Sequence, residues 1–438
     1  MTAKSMLAGI WGMCLSASAG FSADMPVKAE LPPQATLSER WNATLASEIR
    51  YFSWRGDRGS PSGVNGNAGS GTQLYIPYAL QLVGQPNENY RLELLGRGGW
   101  VRAKQSTAGL TGQVDTVTDT VANGTLTYLG FNGFQPFASL SVNIPTGESA
   151  LFGSAANARM DPDLVELSTY GEGWNVGPTI GFNLPLAPDL IFTMSAGYTW
   201  RGEFERENSL TPLNTNLPPS SAQVATELDP GDVFTATVAL ASKYGPWSSS
   251  ILFSLSGETK TVENGSPLYK PGLRYLGTAT VNYDWAQNRG VTTLTASAAR
   301  TGRNEVLFLG ASSLVTEPLN TNSNLYRVGL QHLMPFGAFW AGPSGSFLYR
   351  DANSYDSLTL QYVPAKERYA AGLIARYAAS DKVTFNAKVE HVWTREDERD
   401  AINGQQFSVL ANAFVLGSAI PVVSSEGWQF AGGLNMKF

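Results

Sequence analysis

The chain has 438 residues, of which only 15% are charged, and its formal net charge is −6. This charge excludes a generally basic nucleic-acid-binding protein, and the charged fraction lies well below the roughly 25% that is usual for soluble domains. Mean hydropathy is −0.12, although 45 residues are glycine and 11% are aromatic. Abundant glycine and aromatic residues with weak overall hydropathy are typical of a transmembrane β-barrel.

The first residues have the pattern of a secretory signal peptide. Lys4 precedes the short apolar run Met6 to Leu15, and Ala17-Ser18-Ala19 fits a cleavage site. We expect residues 1–19 to be the signal peptide, with cleavage as late as 23, and residues 20–40 to form a short periplasmic segment before a barrel over 41–438. Cleavage would remove Cys14, the only cysteine, and with it any disulfide or cysteine metal site.

Several later segments alternate between apolar and polar residues. In 190–201 the apolar set runs from Leu190 to Trp200 and the polar set includes Thr193 and Arg201. The same period of two recurs in 273–285, in 383–394 and in 428–438. Alternation indicates strands with one face toward lipid and the other toward water.

Short and long connections alternate along the chain, as they do in outer-membrane barrels with tight periplasmic turns and long extracellular loops. The short connections lie at 84–89, 132–134, 185–189, 244–246, 286–290, 335–337 and 380–382. The long ones lie at 54–71, 104–120, 146–173, 202–232, 258–272, 302–323, 350–367 and 395–426. This rhythm predicts an all-β fold, an antiparallel transmembrane barrel of about 16 strands, with 14–18 compatible.

Aromatic residues lie near the strand ends, where barrels carry their interfacial girdles. They are Trp41, Trp174, Trp200, Trp247, Tyr283, Trp285, Trp393 and Trp428. The sequence ends on Phe438, which resembles the terminal signal that barrel-assembly machinery recognises. We therefore expect Phe438 to serve assembly, outer-membrane lipid to surround the barrel, and the location to be the outer membrane of a Gram-negative bacterium; a homo-oligomer stays open.

Two segments are ambiguous. Residues 365–379 have helical spacing of Tyr369, Leu373 and Tyr377, but their context favours a strand. The stretch from Phe407 to Val423 is too apolar for an ordinary loop. It could fold into the barrel mouth or supply a strand pair that raises the count to eighteen.

A family resemblance comes from two motifs, "NIPTGE" at 143–148 and "GWNVGPTIGFNLPLAPDLIFTMSAGYTWRG" at 173–202. Together they resemble the outer-membrane family named for meta-pathway phenol degradation, over roughly Thr125 to Glu203. The resemblance implies a porin-like barrel that passes small solutes, including hydrophobic or aromatic ones. The shared motifs are structural, so they assign no functional residue.

Catalytic and metal-binding patterns are weak. His391 falls on the lipid-facing set of its strand and His332 lies beside a turn, so neither has a recognisable nucleophile and orienting partner. The acidic stretches MDPDLVE and ELDPGD could hold calcium, but solvated loop charge is the simpler interpretation. We predict no enzyme activity, no cofactor and no metal.

The charges on the polar sets of the strands point instead to a pore. Because charges on a barrel wall face lipid only at high cost, they indicate a water-filled lumen. The pore-lining candidates are Arg91, Glu93, Arg97, Arg274, Asp284, Arg327, Arg368, Arg376, Lys388 and Glu390. Acids of the third long loop, Glu148, Asp161, Asp163 and Glu166, are candidates for a constriction that faces this basic wall.

The sequence therefore favours an outer-membrane channel for passive diffusion of small solutes, with no nucleic-acid partner. Two other classes stay open: an outer-membrane hydrolase, and a secretion or scaffold barrel that works with a periplasmic partner. An open or loop-narrowed lumen is favoured over a plugged one because a barrel of sixteen strands is wide enough for an aqueous channel.

Overall fold

The computed structural model describes residues 41–57, 69–107, 110–131, 133–160, 165, 167–207, 225–286, 289–307, 313–359, 361–400, 405–408, 413–416 and 422–438. The predicted signal peptide and periplasmic segment therefore lie outside the described residues. Among the described residues there are 25 strands, and one 3-10 helix spans Gly153–Ala158. In chain order the strands are β1 (Trp41–Gly56), β2 (Gly69–Asn87), β3 (Tyr90–Thr107), β4 (Leu110–Val117), β5 (Thr120–Tyr128), β6 (Gln135–Ile144), β7 (Asn175–Ala187), β8 (Leu190–Arg201), β9 (Phe204–Glu207), β10 (Ala225–Asp229), β11 (Val233–Tyr244), β12 (Trp247–Glu258), β13 (Thr261–Glu263), β14 (Ser266–Lys270), β15 (Arg274–Trp285), β16 (Gly290–Thr301), β17 (Glu305–Val306), β18 (Val315–Thr316), β19 (Leu325–Phe336), β20 (Phe339–Arg350), β21 (Lys366–Ala378), β22 (Val383–Glu396), β23 (Gln405–Ser408), β24 (Ala413–Leu416) and β25 (Val423–Lys437).

The main sheet is a closed antiparallel barrel, which confirms the predicted fold class and the count of sixteen. Its 17 segments make sixteen strand positions because β4 and β5 both pair with β3, one above the other. Closure comes from β1, which pairs with β2 on one side and with β25 on the other. In a closed barrel every strand has two neighbours, so no backbone edge is left for lipid.

All seven short connections join adjacent barrel strands at one end, as predicted. The turn between β11 and β12 is Gly245-Pro246, where Gly245 has a φ of 54° that favours glycine. Residues 366–378, which also had helical spacing, form strand β21, so tertiary pairing overrides local periodicity there. In the part of the chain that is described, no helix is both long and apolar enough to cross a membrane.

The outer face of the barrel is apolar. Ile180, Leu373 and Ile49 expose 68%, 61% and 57% of their surface, which a lipid environment would cover. Aromatic side chains stand at both ends of this belt, with Trp247 beside Tyr283 at the short-turn end and Trp393 beside His391 at the other. The last strand closes against the first, and the Phe438 N–H donates to the Ala43 carbonyl (2.9 Å); recognition of Phe438 by assembly machinery stays a prediction.

Three of the predicted loops are more ordered than the sequence suggested. Segments 202–232, 258–272 and 302–323 contribute β9, β10, β13, β14, β17 and β18, which form a six-stranded sheet above the barrel. Asn264 and Gly265, with φ values of 47° and 77°, make a tight turn between β13 and β14. Likewise, most of 104–120 is not loop, because β3 and β4 extend as a hairpin above the other strands.

The apolar stretch from Phe407 to Val423 is described only in part. Strands β23 and β24 pair with each other and with no barrel strand among the described residues. The alternative of an eighteen-stranded barrel is therefore wrong. Val423 itself begins the final barrel strand.

Candidate functional site: the lumen and its inner loop

The lumen face is the set of strand residues that alternates with the exposed apolar belt. On β21, Tyr369, Leu373 and Tyr377 face outward with 47%, 61% and 46% of their surface exposed, so Arg368 and Arg376 lie on the lumen face. When the lumen-facing residues of every strand are identified in this way, their chemistry differs between two halves of the lumen. Each half consists of eight neighbouring strands.

One half, the charged arc, consists of β19–β22, β25 and β1–β3. Lys388 and Arg50 lie in the same row of the sheet, each opposite Ala431, and Arg327 and Arg368 share another row through Leu348. Residues two strands apart are separated by about 10 Å at the backbone. The arc therefore concentrates positive charge on one side of the lumen.

Acidic side chains of the charged arc pair with this basic wall. Lys388 bonds to Glu390 (2.8 Å), which also accepts from the Ser344 hydroxyl (2.9 Å). Arg91 forms an ion pair with Glu93 near the short-turn end of β3. The pair of Arg50 and Glu48 (2.6 Å), which the sequence analysis did not select, belongs to the same wall.

The remaining pore-lining candidates are not all brought together. Arg97, Arg327, Arg368 and Arg376 lie on the lumen face of the charged arc, and Arg368 donates to Gln429 (3.1 Å). Arg274 and Asp284 lie at opposite ends of β15, outside that arc.

The other half, the hydroxyl arc, consists of β5–β8, β11, β12, β15 and β16. Its lumen face carries serine, threonine and asparagine, which bond to one another, as in Thr193 to Asn183 (2.8 Å) and Thr293 to Asn282 (2.7 Å). These eight strands are all described, and their lumen-facing charges stand only near the strand ends: Arg201, Lys243, Glu258, Arg274 and Asp284. The lumen is therefore charged on one side and neutral and hydroxylated on the other.

The loop between β6 and β7, residues 145–174, packs against the inner wall at the extracellular mouth, and we call it the inner loop. Its Leu151 and Tyr170 are 0% and 1% exposed, in one apolar cluster with Trp54 and Val101 of the lumen face. The wall also holds the loop backbone, since the Gln73 side-chain amide donates to the Leu167 carbonyl (2.7 Å). Apolar burial and hydrogen bonds together fix this loop inside the mouth.

A single carboxylate ties the two ends of the inner loop together. Asp119, in the break between β4 and β5, accepts from the Gly147 N–H (2.9 Å), the Glu172 N–H (2.7 Å) and the Asn143 side-chain amide (2.7 Å). Gly147 allows this approach, because a Cβ there would lie 2.0 Å from the Tyr170 carbonyl oxygen. We call this set the Asp119 clasp.

A second anchor is Arg159, within the inner loop itself. Its guanidinium donates to the carbonyls of Ser149 (2.7 Å) and Ser168 (3.2 Å), and it forms an ion pair with Glu207 of β9. The Glu207 carboxylate also accepts from the Leu151 N–H (2.9 Å). Arg159 therefore joins the loop to itself and to the extracellular sheet.

Of the predicted constriction acids, only Glu148 is described, and it is exposed. Asp161, Asp163 and Glu166 lie outside the described residues, so an acidic constriction stays a prediction. Sequence reasoning missed Asp119 and Arg159, whose partners are up to 53 and 48 residues away. No local spacing marks such pairs.

Comparison with known proteins shows no family for this chain. No family model and no curated protein matches the chain. Among solved structures, it is similar to the COG4313 outer membrane channel from Pseudomonas putida F1, at 10% identity over 90% of this chain and 95% of that one, with a TM-score of 0.36. It is also similar to a Pseudomonas aeruginosa FadL homologue, at 9% identity over 98% of this chain and 97% of that one, with a TM-score of 0.39. Pseudomonas aeruginosa OccK5 is similar at 8% identity over 92% of this chain and 100% of that one, with a TM-score of 0.42.

The closed barrel, the apolar outer belt with its aromatic ends and the polar lumen face are the features that place the chain in a membrane. The chain is an outer-membrane β-barrel. The barrel is surrounded by lipid, and its lumen face is the surface available to solutes.

The histidines of this outer-membrane barrel lie on its outer wall. His391 packs between Trp393 and Trp428, with ring centroids 4.4 and 4.7 Å away, and the His332 ring bonds to the Thr292 hydroxyl (2.9 Å). They belong to opposite ends of the belt, so they do not form one site. Within the described residues, no group of three or more metal-ligating side chains is close enough to hold an ion.

Docking of the inner loop should depend on pH through Tyr170. Burial raises the pKa of its phenol to about 12 from the usual 10.0. Because the raised value belongs to the docked state, the neutral phenol stabilises docking fully below pH 10, and this contribution is lost as pH rises through about 12. We expect single-channel conductance to become noisier above pH 10. The variant Tyr170→Phe should lack that step, and an identical step in the variant would contradict the assignment.

Proposed function

We propose that this barrel is a passive diffusion channel for small solutes, with a preference for anions. The observation that carries the proposal is the division of the lumen into a charged arc with a basic surplus and a neutral hydroxyl arc. Charged side chains in the lumen need water around them, and a barrel of sixteen strands is wide enough for an aqueous channel. Opposed unlike walls create a transverse field that orients polar solutes.

The inner loop supports the proposal as the element that narrows the mouth. It is held from both ends by the Asp119 clasp and pinned inside by Arg159. Its apolar cluster contains wall residues from β1, β3, β4, β21 and β22, and on the other side only the end of β8 is reached in the described residues, where Glu172 pairs with Arg201 (3.3 Å). The middle of the hydroxyl arc is therefore left to form the other side of the passage. Asp161, Asp163 and Glu166 would add negative charge to this constriction.

Small aromatic solutes are the second candidate cargo. We infer membership of the family named for meta-pathway phenol degradation from motifs that cover the end of β6, both ends of the inner loop, and β7 and β8. One contact favours an aromatic solute, especially an acidic one. The Arg368 guanidinium lies 6.0 Å from the buried ring of Phe52, so this cation stands beside the aromatic cluster at the mouth and would attract the charge of an acidic aromatic solute.

The test is single-channel recording of the purified protein in planar bilayers under a salt gradient. We expect discrete conductance steps and a reversal potential on the anion side. The preference should weaken at high salt, because charge is screened over roughly 10 Å at 0.1 M. Absence of steps would contradict a channel, whereas clear cation preference would contradict only the role of the basic wall.

The cargo is tested by flux into liposomes with two aromatic solutes of similar size, benzoate and benzyl alcohol. Faster uptake of benzoate would support the anion preference. Faster uptake of benzyl alcohol would support a neutral aromatic cargo instead. Empty liposomes give the background, since benzyl alcohol also crosses the bilayer itself.

A further inference from the structure

We propose that the outer wall carries a binding site for the saccharide headgroup of a glycolipid in the outer leaflet. This inference does not depend on what passes through the lumen. The structure has a groove of about 510 Å³ across the outer ends of β1, β25, β22 and β21, where the barrel closes. Arg55, Glu426, Trp393 and Tyr369 line it side by side in one row of the sheet.

The height of the groove follows from strand register. On β1 the outward row of Leu45 lies at the short-turn end, and the row of Arg55 lies ten residues further along. At about 3.4 Å per residue and a tilt of about 40°, ten residues rise about 26 Å, close to the height of about 25 Å that the apolar belt of such barrels has. The groove therefore begins where acyl chains give way to headgroups.

The rows below the groove suit acyl chains. Tyr51, Phe430, Val389 and Leu373 form one outward row, and above it His391 packs against Trp428. These side chains offer an apolar and aromatic surface that is continuous with the groove. A ligand that fits both parts is amphipathic, with its polar end toward the outside.

The chemistry of the groove favours a sugar over a phosphate. Its acids, Asp57, Glu367 and Glu426, outnumber its cations, Arg55 and Arg395, so a bare anion gains little. Sugar hydroxyls both donate and accept, and the apolar face of a sugar ring packs on an aromatic ring.

The charged groups are already arranged for such a ligand. Arg55 and Glu426 bond at 2.6 Å while their side chains stay 67% and 41% exposed, and the Tyr369 hydroxyl donates to Glu367 (3.1 Å). The Arg55–Glu426 pair and the Tyr369–Glu367 pair thus keep hydrogen-bond donors and acceptors open to a ligand. Trp393 and Tyr369, exposed by 45% and 47%, supply the stacking surface between them.

The experiment compares glycolipid binding by native mass spectrometry in detergent, with lipid A that carries two core sugars as the probe. The test variant is Arg55→Gln with Tyr369→Leu. The matched control is Arg102→Gln with Asp115→Asn, which removes an outer-wall ion pair (3.9 Å) beside Trp100 but outside the groove. Heat-modifiable gel mobility verifies folding of each protein before binding is measured.

We expect the test variant to bind the glycolipid about tenfold more weakly, because it loses a charge-assisted hydrogen bond and an aromatic stacking surface. The control variant should bind like the wild type. An equal loss of glycolipid binding in the test and control variants would overturn a specific site. So would phosphatidylglycerol binding to the wild type as strong as that of the glycolipid. Equal binding of the free core sugars would overturn a membrane-anchored ligand.

Discussion

Replacing Asp119 by alanine should raise the single-channel conductance and make the open level fluctuate. The carboxylate accepts three hydrogen bonds, from Gly147, Glu172 and Asn143, and these join both ends of the inner loop to the wall. Hydrogen bonds to a charged group are worth about 1.5–3 kcal/mol each, so their combined loss costs several kcal/mol of docking free energy. The alanine would also leave two backbone N–H groups without their acceptor.

The matched control for this prediction is Asp115→Ala. Asp115 lies on the neighbouring strand segment β4 but faces outward, where it accepts from the Trp100 indole (2.8 Å). The Asp115→Ala variant removes the same charge at a position close to Asp119 in sequence, but it leaves the Asp119 clasp intact. If Asp119→Ala folds, as heat-modifiable mobility would show, and conducts like Asp115→Ala, the clasp does not set the width of the mouth.

The barrel was predictable because the contrast between its two strand faces is strong and local. Leu190 to Trp200 alternates with Ile191 as the one exception, and each short turn is marked by glycine, proline or polar residues. Even the helical spacing of Tyr369, Leu373 and Tyr377 was outweighed by this context, and β21 is a strand. Strand pairing follows chain order around such a barrel, so neighbours could be assigned as well.

The inner loop and the extracellular sheet were not predictable in the same way. Strand β9 pairs with β10 across 17 residues that the structure does not describe, and β14 pairs with β17 across a barrel hairpin. The Asn264-Gly265 turn was a visible signal for a hairpin in 258–272, yet its partners come from other loops. Contacts of this kind carry no periodicity, so only the three-dimensional arrangement reveals them.

The charged arc could be predicted from the sequence only in part. Alternation alone placed Arg368, Arg376 and Lys388 on the polar side of their strands. What it did not show is that such residues fall on eight neighbouring strands while the other eight are nearly neutral between their ends. That grouping follows only from the strand order and from the closure of β25 on β1. The lumen that the sequence predicted to be basic throughout therefore has two unlike walls.

Removing two arginines from the charged arc should lower the anion preference about fivefold. Two unit charges about 8 Å apart in water interact by roughly 0.5 kcal/mol, which corresponds to about a 2.3-fold change in ion preference for each charge and about fivefold for two. We choose Arg368→Gln with Arg376→Gln, because both stand on the lumen face of β21 and glutamine keeps a polar side chain there. The measurement is the reversal potential in a potassium chloride gradient at low ionic strength, where screening is weakest.

The control removes the same charge from the outer wall, as Arg102→Gln with Arg300→Gln. Arg300 lies opposite the outward-facing Tyr275, and Arg102 lies beside Asp115 on the outer face of β3. Since the net charge of the two double variants is equal, any general electrostatic effect of the protein appears in both. A shift confined to the β21 variant supports the two-walled lumen, and equal shifts would mean that ion choice is set by overall charge. No shift in either variant would place the selective step elsewhere, with the inner loop and its Arg159 anchor as the next element to change.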